Sequence, residues 1–148
     1  MASAVCLALL VGSVTDLRGR VIPDLVTFPA AVVVTAGLLL SGPFPGGLGL
    51  GLLTAAMICL PLVALSVLRP GSFGMGDVKL IAVMALAAGP AVWVPLVPGF
   101  GIATGYGLVK SGIEGTGAGR TTLPLAPFLA VPGVAFFAWS ALSGPMLQ

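Results

Sequence analysis

Histidine is absent from this chain of 148 residues. With it go the commonest metal ligand and the commonest general base. Cysteine is scarce as well. Cys6 and Cys59 lie in separate apolar stretches with no CxxC pair, which excludes a zinc site or a dithiol redox centre. Both read as small buried hydrophobes, and neither a metal nor a cofactor is expected. Charge is thin: 7% of residues are charged, against about 25% in a soluble domain. Hydrophobic residues make up 58%, and the mean hydropathy is +1.20. Such a chain cannot clothe a water-facing surface, so its solvent is the bilayer. A net charge of +2 is too small and too scattered to suggest nucleic acid as a partner.

What is present is a series of apolar runs, at residues 1–15, 25–40, 48–68, 78–88, 91–109 and 123–142. They predict an all-α, polytopic membrane protein of six transmembrane helices, with residues 1–148 forming one membrane-embedded domain. The first run lacks the basic start of a secretory signal, and Ala2-Ser3-Ala4 precedes the apolar stretch instead of following it. It therefore reads as a retained span. Thirty residues separate Lys79 from Lys110, long for one crossing and short for two; Gly89-Pro90 would break the stretch, with Pro95, Pro98 and Gly99 as rival break points. Six spans place all six basic residues in the 1–2, 3–4 and 5–6 connections. The positive-inside rule then puts those connections in the cytoplasm and both termini outside.

Glycine and proline are plentiful, at 22 and 13. Gly47 and Gly51, and again Gly101 and Gly105, form small-xxx-small steps that read as helix-packing points. Residues 115–119 read as a cytoplasmic loop with no phosphate-loop pattern.

The charged residues gather in three clusters: Asp16, Arg18, Arg20 and Asp24; Arg69, Asp77 and Lys79; Lys110, Glu114 and Arg120. An ionisable group at the edge of a membrane span is a functional candidate. Asp16 closes the first span and Asp77 opens the fourth, so both fall on the cytoplasmic side although 61 positions separate them. Two carboxylates brought close share a proton, because both cannot ionise cheaply. The charged member can draw a proton from water while the protonated member polarises a carbonyl, which is the chemistry of an aspartic protease. Gly74-Met75-Gly76 ahead of Asp77 lets backbone bend into a helix and pass close to a substrate strand. Taken singly, each piece also has an ordinary reading. Gly-x-Gly-Asp is a common turn, Asp16 can pair with Arg18 or Arg20, and Asp24 after Pro23 suits a helix N-cap. Lys79 reads equally as a topology signal, a snorkelling cation or a partner to Asp77.

Together the pieces resemble a known family. Asp16-Leu17-Arg18-Gly19-Arg20-Val21-Ile22-Pro23-Asp24, followed by Leu25-Val26-Thr27-Phe28-Pro29, resembles the first catalytic motif of the type IV prepilin peptidases. Gly74-Met75-Gly76-Asp77-Val78-Lys79-Leu80 is similar to their second, the GxGD motif, and Leu123-Pro124-Leu125-Ala126-Pro127-Phe128-Leu129-Ala130 to their last-helix stretch. The resemblance implies a six-helix aspartyl endopeptidase of a prokaryotic cell membrane. It implies a substrate too, a type IV prepilin or pseudopilin precursor whose basic leader is removed at the cytoplasmic face. Asp16 and Asp77 then become the catalytic pair, with Arg18, Arg20, Pro23, Asp24, Gly74, Gly76 and Lys79 as supporting motif positions. Asp24 and Glu114 are placed to attract a basic leader. Larger members carry an N-terminal segment with paired cysteines linked to methylation. This sequence lacks such a pair and looks like the peptidase-only form, and Ala126 stands where the family usually has glycine. The rival class is a small non-catalytic membrane protein, a transporter subunit or assembly scaffold, using the same aspartates for ion pairing or proton relay.

Overall fold

Backbone polar groups in hydrocarbon must be satisfied within their own segment, so apolar runs of this kind fold as helices. A computed structural model describes residues 2–19, 24–40, 47–68, 74–114 and 125–143. Every element among them is helical: α1 (Ala2–Gly19), α2 (Asp24–Leu40), α3 (Gly47–Leu68), α4 (Met75–Ala88), a 3₁₀ turn (Gly89–Val92), α5 (Trp93–Glu114) and α6 (Ala126–Leu142). Among the described residues, two helical stretches, Leu48–Leu68 and Met75–Ile113, are long and apolar enough to cross a membrane. The second is interrupted where Gly89-Pro90 predicts. Gly89 takes φ 53°, a conformation open to glycine, and its N–H closes α4 on the Ala85 carbonyl. Pro90 removes the donor that a continuous helix would give to the Leu86 carbonyl.

That carbonyl turns to α3. A Cβ on Gly51 would lie 2.6 Å from Leu86 O, so only glycine permits the approach. Toward the other end of the same contact, the Cys59 thiol donates to Val78 O at 3.7 Å. α3 and α4 therefore run antiparallel in close contact. Of the two small-xxx-small steps, the Gly51 position is used for packing. Gly101 and Gly105 on α5 have open space around them.

α4 is the hub, packed on α1, α2, α3 and α6, while α1 packs most extensively on α6, and α5 on α6. The core joins Val5 and Leu9 of α1, Val34 of α2, Ile81 and Met84 of α4, and Leu129 and Phe137 of α6. Two blocks result, α1 with α6 and α3 with α4. They meet at a seam where a Cβ on Gly133 would lie 2.8 Å from Leu9 Cδ1 and 3.2 Å from Met84 Cε. Outward-facing positions are apolar as well, among them Leu10, Leu17, Leu40, Leu60, Trp93 and Trp139. In water such a surface would be an aggregation hazard, whereas hydrocarbon accepts it. Two of the buried hydroxyls are satisfied locally: Thr54 Oγ1 donates to Leu50 O at 2.7 Å and Ser111 Oγ to Leu108 O at 3.0 Å.

Candidate active site

Val5, Leu9, Gly12, Ser13 and Asp16 recur at helical spacing along the buried face of α1. This stripe carries Asp16 inward, leaving it 6% exposed. Its Oδ2 accepts the backbone N–H of Ala126 at 3.2 Å. Ala126 opens α6, and its N–H is one of the donors that a helix leaves without an internal partner. The next residue, Pro127, has no N–H to offer. Asp16 thus fastens the end of α1 to the start of α6.

Asp77 lies in the first turn of α4. Gly74, extended at φ −73° and ψ 129°, caps that turn, and its carbonyl accepts from Asp77 N–H at 3.1 Å and Val78 N–H at 3.3 Å. These dihedrals suit any residue, so a side chain here would be felt by Asp77 and not by the backbone. A Cβ on Gly74 would come within 2.9 Å of Asp77 Oδ2. Asp77 is half-buried, and its Oδ1 is enclosed with no hydrogen-bond partner among the described residues. The two carboxylates are close enough to interact electrostatically. Each sits at the positive end of a helix dipole, Asp16 at α6 and Asp77 at α4.

Other candidate positions separate from this pair. Arg18 is exposed, about 200° round α1 from Asp16. Lys79 is exposed and stands at the same angle from Asp77 on α4. Gly76 is half-buried in the first turn of α4. Arg20 and Pro23 lie outside the described residues, as do Leu123 and Pro124 of the last-helix motif and the side chains of Asp24 and Glu114. The backbone of Asp24 opens α2. Sequence reading missed Ala126 as a partner of Asp16, because a backbone donor leaves no mark in the residue alphabet; Pro127 beside it was the available signal of a helix start. Among the described residues, no three His, Cys, Asp or Glu side chains gather to hold a metal ion.

An acid anchored to a helix start and a second acid, with an oxygen unsatisfied among the described residues, lie within electrostatic reach of each other at one end of an apolar helical bundle. This defines a membrane-embedded carboxylate pair. The chain belongs to the type IV leader peptidase family, whose profile matches residues 3–144. No curated protein and no solved structure gives a significant match. Membership implies a protease of the leader-peptidase kind, acting in a membrane.

Proposed function

We propose that this protein is a membrane aspartyl endopeptidase that removes the basic leader from type IV pilin-like precursors, using Asp16 and Asp77 as its acid pair. The observation that carries this reading is their meeting at one end of the bundle, Asp16 at the close of α1 and Asp77 at the start of α4. Six spans with both termini outside set that end at the cytoplasmic surface, as the distribution of lysine and arginine supports. There a precursor anchored by its apolar helix presents its scissile bond at fixed depth, with its leader in the cytoplasm.

In the reaction, the ionised carboxylate takes a proton from a water molecule as the water oxygen attacks the scissile carbonyl carbon. The protonated carboxyl gives its proton to the carbonyl oxygen, so no naked oxyanion forms. Collapse of the tetrahedral intermediate returns that proton and breaks the C–N bond. The proton taken from water goes to the departing amine, which becomes the new N-terminus. Apolar surroundings limit water and strengthen the field between the acids.

Co-expression with a candidate precursor tests the reading, comparing wild type with Asp16→Asn and Asp77→Asn at matched membrane insertion. Wild type shortens the precursor, and each variant leaves it intact. Cleavage by both variants would overturn the assignment.

A further inference from the structure

The proposed reaction asks opposite states of its two carboxyls, one ionised and one protonated, and their surroundings are not alike. Asp16 Oδ2 accepts the backbone N–H of Ala126 at 3.2 Å in a buried contact. Ala126 is the donor that the head of α6 has to spare. Pro127 has no N–H, and those of Phe128 and Leu129 go to the Leu125 carbonyl. A hydrogen bond given to the charged form of an acid favours that form, and the positive end of α6 adds to it. Asp77 Oδ1 is enclosed and meets no donor among the described residues. Asp77 also lies in the first turn of a helix, but its own N–H and that of Val78 are spent on the Gly74 carbonyl. A negative oxygen held there without a donor is costly, which favours the form that keeps a proton.

Few other ionisable groups surround the pair. α6 carries none, and α3 brings only the Cys59 thiol, which donates to Val78 O. α4 adds Lys79 and α1 adds Arg18, both exposed, and Cys6 deeper along α1. Arg20 and the side chain of Asp24 lie outside the described residues.

We infer that the Ala126 N–H is a positioning group of the reaction, holding Asp16 as the ionised base and leaving the transferable proton on Asp77. The inference rests on the peptidase reading and divides its labour. Asp16 takes a proton from the attacking water, and Asp77 gives its own to the carbonyl oxygen. Collapse of the intermediate returns that proton to Asp77, and the proton on Asp16 leaves with the new amine. Ala126 transfers nothing.

The acids titrate as a pair, in two steps. The test places lactic acid at position 126, which turns the amide into an ester, deletes the N–H and keeps the methyl group. Cleavage of a pilin-like precursor is then followed against pH. The acidic limb of kcat/KM should move up by about one pH unit, because Asp16 ionises in the lower step. The alkaline limb, set by Asp77, should stay. An ester at position 128 deletes the N–H that bonds Leu125 O at 3.0 Å, loosening the same turn, and should move neither limb. Movement of the alkaline limb would overturn the inference by exchanging the roles. A loss of rate at every pH with both limbs fixed would overturn it too, as would equal movement with both esters.

A readout without substrate serves if the ester fails to fold, and keeps the two readings apart. In the unaltered chain in detergent, isotope-labelled at alanine and at the aspartate carboxyls, the Ala126 amide proton should shift with the lower step of the pair. Shifting with the upper step would overturn the inference. Should it follow the lower step while no precursor is cleaved, the charge assignment stands and the peptidase reading is what fails.

Discussion

The carboxylate of Asp16 accepts the backbone N–H of Ala126 at 3.2 Å, joining two helices that lie 110 positions apart. Asp77, its electrostatic neighbour, has an enclosed oxygen with no such partner among the described residues. The two acids therefore differ in what they contribute to stability. Asp16→Ala should cost about 1–3 kcal/mol, because the Ala126 donor is left buried and unpaired. Asp77→Ala removes an unsatisfied group and should cost less. Thermal unfolding of both variants in detergent checks the order, and equal losses would contradict it.

Gly74→Ala should reduce cleavage while leaving stability nearly unchanged. The backbone there accepts any residue, but the new methyl would press on Asp77 Oδ2 at 2.9 Å. Displacing a reacting carboxylate by about 1 Å costs on the order of a hundredfold in rate. Cleavage kinetics at matched protein level measure this, and a wild-type rate would show that the contact does not matter.

The two small-xxx-small steps should respond in opposite directions. Gly51→Ala drives a methyl into the Leu86 carbonyl, which is backbone and cannot rotate away, so a loss of about 1–3 kcal/mol is expected. Gly101→Ala meets nothing within 4 Å and should stabilise α5 by up to about 1 kcal/mol. Unfolding midpoints of the pair decide the matter.

Gly133→Ala should be milder than Gly51→Ala. Its new methyl meets the ends of two flexible side chains, Leu9 Cδ1 and Met84 Cε. Leu9→Val in the same chain should restore part of the loss, giving a coupling of about 0.5 kcal/mol or more in a double-mutant cycle. Strict additivity would mean that these groups do not press on one another.

The acids were legible because charge is sparse in an apolar chain, and the break at Gly89-Pro90 because proline and glycine act locally. Helix limits were less so. α1 runs on to Gly19 and α5 to Glu114, past the apolar runs that predict them, since a helix already formed continues through a few polar residues. The pattern that marked Gly51 marked Gly101 equally. Small residues state that a close approach is permitted, and only the packed neighbours decide where it happens.

Because Asp16 belongs with α1 and α6 and Asp77 with α3 and α4, the gap between them is a joint between two bodies. Leu9, Met84 and Gly133 fill that joint about 10 Å deeper, counted in helix rise from the acids. They act as a shim. Thickening or thinning it by a methyl group resets how far apart the carboxylates stand without altering either one. The spacing of the acids is thereby tied to the packed interior, through residues that solvent does not reach.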